Sequence, residues 1–104
     1  MIIREWRGRA SLDTADAYPQ FFADNVLSQL RRLPGFLGVH FSRRRLANRV
    51  EFLVLTRWQS MDAIREFAGP DPETAVIEPG AKAVLLDFDT RAQHYEVVDA
   101  SSGS

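Results

Sequence analysis

Val50-Glu51-Phe52-Leu53-Val54-Leu55-Thr56-Arg57-Trp58-Gln59-Ser60 is the stretch from which the rest of the fold can be predicted. It is a short run of β-branched and large apolar residues, and turn signals bound it on both sides. Such a run indicates a strand that is buried on both faces. The other segments of the chain are therefore expected to cover the two faces of this strand.

The length and composition indicate one domain. The chain has 104 residues, of which 45% are hydrophobic, as is usual for a globular protein. We assign residues 1–99 to a single domain and expect residues 100–104, which are small and polar, to form a disordered tail. A chain this short buries a modest fraction of its surface, so a partner subunit is expected to stabilise it.

The charge and the cysteine content exclude several classes of function. The net charge of −1 argues against binding to nucleic acid or to an anionic membrane surface. The chain has no cysteine, so it has neither a disulfide framework nor thiolate chemistry, and a cytoplasmic location is expected. No segment approaches the length of a membrane span.

The segments around the opening stretch alternate in a recognisable order. They are predicted to be a strand at 2–9, a helix from 16 to 33, a strand at 36–46, the opening strand, a helix after Ser60, and a strand at 93–98. This order is the split βαβ pattern of a ferredoxin-like α+β fold with a four-stranded antiparallel sheet. Right-handed crossovers place the first and third strands in the middle of that sheet.

The first helix has a clear apolar stripe. Tyr18, Phe22, Val26, Leu30 and Leu33 recur at helical spacing. With Asp16 as the cap, Pro19 falls in the first turn, where its missing N–H costs little.

A hairpin is predicted to join the second and third strands. A two-residue loop at Ala47-Asn48, with Asn48 in the left-handed conformation, sets Arg44 opposite Glu51. The face expected under the helices then carries Leu37, Val39, Phe41, Phe52, Val54, Thr56 and Trp58. The other face carries Phe36, His40, Leu53, Leu55 and Arg57, with several polar residues. This second face is too apolar for water, so a second copy packed sheet to sheet, a homodimer, is expected.

The sequence also resembles a known family. The residues that carry the resemblance are Arg4-Glu5-Trp6-Arg7-Gly8, Pro34-Gly35-Phe36-Leu37-Gly38, the stretch 51–60, Phe67-Ala68-Gly69 and His94-Tyr95-Glu96-Val97. Together they are similar to the antibiotic-biosynthesis-monooxygenase-like family of dimeric α+β barrels. The resemblance implies that fold over nearly the whole chain, up to about Val98. The activities it implies are cofactor-free oxidation of polycyclic phenols or quinols by dioxygen, or haem binding with ring cleavage.

The resemblance carries over to some site residues only. Trp58 matches the tryptophan that lines the pocket in oxidising members. The haem-degrading members carry an asparagine on the first strand and a histidine on the helix after the tryptophan, and residues 2–9 and 61–68 have neither. Residues 50–57 also lack the asparagine that the aromatic-polyketide oxidisers use. The resemblance therefore disfavours haem cleavage, and the constellation of the polyketide oxidisers is incomplete. We expect no bound cofactor.

Three aromatic residues are candidates for substrate binding. Trp58 is predicted at a strand end on the helix side, where its indole can stack on a planar aromatic molecule. Trp6 and Tyr18 are amphipathic aromatics that can line the same pocket. The alternative for all three is packing in the core.

The candidate catalytic residues lie on three strands. His40 and Arg57 share the mixed face, where an imidazole can deprotonate a phenol and a guanidinium can stabilise the phenolate. His94 is a second candidate base, because Glu96 falls on the same face of the last strand and can support it. Alternatively, these residues form hydrogen bonds in a dimer seam. Two histidines and scattered carboxylates do not make a metal-ligand spacing, so no metal site is expected.

The sequence thus predicts a cofactor-independent monooxygenase-like homodimer that acts on an aromatic phenol or quinol. The alternative is a non-catalytic dimeric module that binds a small aromatic ligand, or a purely structural dimer. An open cavity with a free imidazole in reach would favour the enzyme.

Overall fold

A computed structural model describes residues 1–103 of the chain. Its elements are β1 (Ile2–Ser11), α1 (Ala17–Phe22), a π-helical segment (Ala23–Leu27), α2 (Ser28–Leu30), β2 (Phe36–Arg45), β3 (Arg49–Trp58), α3 (Met61–Ala68), α4 (Ala81–Val84), β4 (Asp87–Phe88) and β5 (Gln93–Glu96). Residues 100–103 have no regular secondary structure, and residue 104 of the predicted tail lies outside the described residues. No helix in this range is long and apolar enough to cross a membrane.

The strands form one antiparallel sheet. Its order is β2-β3-β1-β4, and β5 pairs with β1 farther along the same edge. The α+β ferredoxin-like fold, with the first and third strands in the middle, is therefore confirmed. The sheet has five strands and not the predicted four, because the short strand β4 was not predicted.

The core lies between this sheet and the helices. Along β3 the helix-side residues are buried, and the residues between them are half-buried. Trp58 and Phe52 on β3, Ile64 on α3 and Leu30 on α2 are its largest fully buried side chains. The opposite face of the sheet has no covering element among residues 1–103, and we call it the open face. It carries Ile3, Glu5, Arg7, His40, Leu53, Leu55, Arg57 and Tyr95.

The hairpin between β2 and β3 has the predicted loop length and pairing. The Leu46 N–H donates to the Arg49 carbonyl at 2.8 Å, which closes a two-residue loop. Arg44 Nε donates to Glu51 Oε1 at 2.8 Å, so the predicted cross-strand pair is confirmed. The left-handed conformation predicted for Asn48 is wrong, because no non-glycine residue between 1 and 103 has a positive φ.

A β-bulge at Leu37 reverses the predicted faces at the start of β2. The pairing register shifts between Phe36 and Gly38, which leaves Leu37 as an extra residue. Phe36 consequently packs against Trp58, with ring centroids 5.4 Å apart, and Leu37 is 43% exposed. The predicted positions of Phe36 and Leu37 are wrong because strict alternation assumes a strand without an inserted residue.

The first helix is one continuous helix made of α1, the π-helical segment and α2. Asp16 precedes it and Pro19 lies in its first turn, as predicted, although the Asp16 side chain makes no capping hydrogen bond. The second helix begins as predicted, since Ser60 Oγ accepts the Ala63 N–H at 3.2 Å. Gly69, with φ 94°, ends that helix in a conformation that favours glycine.

The buried hydrogen bond from Trp58 Nε1 to Thr56 Oγ1, at 2.8 Å, allows a test of the core. We expect Thr56→Val to lower the free energy of unfolding by about 1–3 kcal/mol, because the indole N–H loses its acceptor without losing its burial. Urea unfolding followed by circular dichroism measures this. In a Trp58→Phe background the same change should cost much less, since phenylalanine has no N–H. Equal losses in the two backgrounds would contradict the importance of this bond.

Candidate functional site

A cleft opens between the sheet and the helices, on the side away from the open face. It encloses about 50 Å³. Its walls are formed by Arg4, Trp6, Tyr18, Phe22, Val26, Leu30, Val54, Thr56, Phe67 and Val76. The lining is mostly apolar and aromatic with a few polar groups, as is typical of small-molecule sites.

The π-helical segment aligns one wall of this cleft. Tyr18, Phe22, Val26 and Leu30 all line it, at intervals of four residues. In a regular α-helix of 3.6 residues per turn, such a stripe drifts by roughly 40° at each step. The π-helical segment holds more residues per turn and therefore reduces the drift. The four side chains consequently face one cavity.

Arg4 is the charged residue of the cleft, and it is only 5% exposed. Its Nη1 donates to the Pro72 carbonyl at 2.8 Å and its Nη2 to the Thr74 carbonyl at 2.9 Å. The Phe67 ring covers the guanidinium face, with Cζ 5.7 Å from the ring centroid. Burial lowers the pKa of Arg4 to about 10, so it remains a cation at neutral pH. No ion pair with a carboxylate involves Arg4 among residues 1–103.

His94 adjoins this cation from β5. Its Nε2 lies 3.3 Å from Arg4 Nη1. Because a guanidinium only donates, Nε2 must be the acceptor, and the proton of the neutral imidazole is then on Nδ1. Burial, and then the positive charge of Arg4, lower the pKa of His94 below 6.5, although Glu73 opposes them. His94 is therefore neutral at pH 7 and in contact with the charged wall of the cleft.

Residues 71–76 form a loop over the cleft, which we call the cover loop. Arg4 binds two of its carbonyl groups, and Val76 lines the cavity. The Ala75 N–H donates to the Thr90 carbonyl at 3.0 Å, and the Ala92 N–H donates to the Glu73 carbonyl at 2.7 Å. The cover loop is thus attached to residues 90–92 on the outside and to β1 through Arg4 on the inside.

Trp6 and Tyr18 both line the cleft, where sequence reasoning expected them. Trp6 Nε1 donates to the Asp89 carbonyl at 2.7 Å, so its indole is held in place. The Tyr18 hydroxyl has no hydrogen-bond partner within residues 1–103. Burial raises the pKa of Tyr18, so this hydroxyl is neutral and can donate a hydrogen bond. Their predicted role in substrate binding stays a prediction.

Trp58 lies behind the wall of the cleft. It is 0% exposed and stacks against Phe67, with ring centroids 5.7 Å apart. Two of its contacts, Phe67 and the hydrogen-bonded Thr56, do line the cavity. The tryptophan therefore supports the pocket wall, and its predicted contact with a substrate stays a prediction.

The remaining predicted residues lie on the opposite side of the sheet. His40 pairs with Leu55 and is exposed on the open face. Arg57 shares that face, and its Nε is buried with no hydrogen-bond partner among residues 1–103. The sheet therefore separates His40 and Arg57 from His94 and from the cleft. Their predicted catalytic roles stay predictions.

Sequence reasoning missed Arg4, Thr56 and Phe67 as residues of the site. One signal was available, because strand alternation places Arg4 on the same face as Ile2 and Trp6. An arginine on a face expected to be apolar needs buried acceptors, which points to a functional site.

The family follows from a comparison with known sequences. The sequence model of antibiotic biosynthesis monooxygenases matches residues 1–72 of this chain. The chain belongs to the antibiotic biosynthesis monooxygenase family. No curated protein matches the sequence significantly.

Solved structures share the fold of this family member. A candidate antibiotic biosynthesis monooxygenase from Deinococcus radiodurans is 20% identical, with a TM-score of 0.69, 100% of this chain covered and 99% of that one. The monooxygenase ActVA-Orf6 of Streptomyces coelicolor, in complex with nanaomycin D, is 18% identical, with a TM-score of 0.70 and coverages of 99% and 92%. The heme-degrader MhuD of Mycobacterium tuberculosis is 19% identical, with a TM-score of 0.64 and coverages of 98% and 100%. At these identities the likeness extends to the fold alone.

The contact between Arg4 and His94 predicts how this monooxygenase-family protein titrates. We expect ¹⁵N NMR to find the Nδ1–H tautomer of His94 and a pKa below 6.5. Arg4→Met should raise that pKa only partly, because burial is the larger cause and persists. Since the unfolded state binds the proton more readily, His94 should also make the fold less stable as the pH falls below about 6.5.

The His40 resonances, from the other face of the sheet, are the internal control for this titration. An Nε2–H tautomer, or a His94 pKa at or above 6.5, would contradict the contact.

Proposed function

We propose that the protein is a cofactor-independent monooxygenase that oxidises a small aromatic phenol or quinol in the helix-side cleft. The observation that carries this proposal is the buried guanidinium of Arg4, which has no carboxylate partner among residues 1–103. A cation held out of water is stabilised by an anionic ligand. The aromatic walls suit a flat ring, so the ligand that fits both features is a phenolate.

Each cleft residue has a role in this proposal. Arg4 stabilises the phenolate, which lowers the pKa of the bound phenol. His94, a neutral imidazole at pH 7, accepts the phenol proton at Nε2 through a bridging water once the Arg4 Nη1–H has left that nitrogen, and it releases its Nδ1 proton to solvent, since it is only partly buried. Trp6 and Tyr18 hold the ring, and the Tyr18 hydroxyl donates to a second oxygen of the substrate. Trp58 supports the wall through Thr56 and Phe67.

The oxidation balances without an added reductant. The phenolate gives one electron to dioxygen, and the resulting superoxide and phenoxyl radical combine to form a carbon–oxygen bond at the ring position para to the phenol. For a substrate with a CH₂ group at that position, as in an anthrone, the peroxide then loses water. One oxygen atom becomes the new carbonyl oxygen. The other leaves as water with the two hydrogens that this carbon loses.

A haem is a poor fit for this cleft, although the structural neighbour MhuD holds two hemes in its active site. The cleft encloses only about 50 Å³. The helix α3 carries no histidine. The same volume is below that of a cavity that binds benzene, roughly 150 Å³. Even a single-ring substrate therefore requires the cover loop to move outward, and a polycyclic one requires a larger movement.

Dioxygen uptake with hydroquinones and anthrones, without added metal or flavin, tests the enzyme. We expect uptake that Arg4→Met abolishes, because the phenolate loses its counter-charge. His94→Ala should lower the rate by about 10²–10⁴, the usual contribution of a general base. Because only neutral His94 accepts a proton, the rate should fall on the acid side at a pH below 6.5.

Three variants make the oxygen-uptake test specific. Gln29→Ala, on the exposed surface of the first helix, is the control for expression and handling. His40→Ala separates the two histidine hypotheses, because a loss there alone would assign the base to the open face. Turnover that survives Trp58→Phe together with both His→Ala changes would refute the assigned site.

The second candidate is a non-catalytic module that binds a small aromatic anion. A specific observation favours it, since protonation of His94 creates a second cation 3.3 Å from Arg4. His94 is therefore a weak base. Ligand-induced stabilisation without dioxygen uptake would select this candidate over the enzyme.

We also propose that two copies pair through the open face. Ile3, Leu53 and Leu55 form its half-buried apolar centre, and Tyr95 is 49% exposed at its side. Arg57 Nε, buried and without a partner among residues 1–103, needs an acceptor that a second copy can supply. A self-complementary face of this kind supports a twofold dimer.

Light scattering at micromolar concentration tests the dimer. We expect the unmodified protein to have twice the monomer mass and Leu55→Asp to be monomeric, because a carboxylate at the apolar centre would lose its hydration when the two faces pack together. Leu86→Asp is the matched control, since Leu86 is 61% exposed and lies outside the open face. A monomeric unmodified protein would refute the dimer.

A further inference from the structure

Arg4 has N–H donors that the protein itself does not use. A guanidinium carries five N–H groups. Three of them are engaged, since Nη1 contacts the Pro72 carbonyl and His94 Nε2, and Nη2 donates to the Thr74 carbonyl. Within residues 1–103, the Nε–H and the second Nη2–H have no acceptor.

The two unused donors lie on one edge of the guanidinium. The carbonyls of Pro72 and Thr74 are two residues apart and bind Nη1 and Nη2, from which we infer that they occupy the end of the group between these two nitrogens. The Nε–H and the remaining Nη2–H then point in parallel from its side. Two parallel N–H groups of this kind match two oxygen atoms that lie side by side.

The position of these donors makes them important for recognition. The Arg4 side chain is only 5% exposed as a whole, and the cleft is the space that it borders. Phe67 covers the face of the guanidinium, so a ligand approaches in its plane, along the unused edge. A ligand with one oxygen there excludes water from both donors but supplies an acceptor to only one of them, which is costly.

We propose, resting on the proposed function, that Arg4 binds two adjacent oxygen atoms of the substrate through Nε and Nη2. The substrate class is therefore an aromatic ring with a hydroxyl group next to a second oxygen substituent, either a catechol or an ortho-hydroxycarbonyl compound. The cleft accordingly discriminates between positional isomers of the same size and charge.

Calorimetric titration of catechol, resorcinol and hydroquinone under argon tests this proposal. The three isomers have the same formula and differ in the spacing of their two hydroxyl groups. We expect catechol to bind about tenfold more tightly than either of the others, which corresponds to one additional hydrogen bond to a buried charged donor. Equal affinities, or no binding of any isomer at millimolar concentration, would overturn the proposal.

Arg4→Lys separates the geometry of the guanidinium from its charge. Lysine keeps the cation but lacks the parallel pair of donors. The preference for catechol should therefore fall to less than about twofold, while Arg45→Lys, at the exposed end of β2, keeps the full preference. A catechol preference that survives in Arg4→Lys would overturn the proposal.

A measurement on the unmodified protein covers the case in which Arg4→Lys does not fold. The ¹H–¹⁵N resonance of Arg4 Nε should shift on addition of catechol and not on addition of resorcinol. If catechol binds and the Arg4 Nε resonance shifts with neither compound, the proposal is overturned.

The two proposals fail in distinguishable ways. Selective binding of catechol without dioxygen uptake would refute the proposed enzyme activity and support the proposed recognition of adjacent oxygen atoms. Dioxygen uptake without a preference among the isomers would refute the proposed recognition of adjacent oxygen atoms and support the proposed enzyme activity.

Discussion

The desolvated guanidinium of Arg4 is the interaction on which the site depends. Taking a cation out of water costs several kcal/mol, and here no carboxylate among residues 1–103 offsets it. Two backbone carbonyls, an imidazole nitrogen and the ring of Phe67 compensate instead. These partners come from the cover loop, from β5 and from α3. One side chain on β1 thus connects three segments that are all distant from it in sequence.

The central strands β1 and β3 contribute side chains to two different surfaces, the cleft on the helix side of the sheet and the open face on the other side. On the helix side, β1 and β3 contribute Arg4, Trp6, Val54 and Thr56 to the cleft. On the open face, the same strands present an apolar centre and Arg57, and the neighbouring strand β2 presents His40. Because successive side chains of a strand point to opposite faces, neither surface constrains the residues of the other. The two histidines of the chain belong to different environments for this reason.

The predictable features follow from local patterns and short-range pairing. The alternation of residues along 50–58 and the two-residue loop were enough to predict the antiparallel hairpin and the pairing of Arg44 with Glu51. The bulge at Leu37 and the π-helical segment were not predictable. Each inserts one residue into a regular strand or helix, and the amino-acid composition of the segment does not reveal the insertion. The environment of Arg4 was not predictable either, since its acceptors lie 68 and 70 residues away along the chain.

The five donors of Arg4 also explain how one residue can serve both the fold and the ligand. Three donors hold the cover loop and His94 in position, and these contacts fix the plane of the guanidinium. In the proposed complex the two remaining donors bind the ligand, and little conformational entropy is lost because the plane of the guanidinium is already fixed. A lysine at this position would hold neither the plane nor the pair of donors. The preorganisation of the site is therefore a consequence of the same hydrogen bonds that hold the cover loop over the cavity.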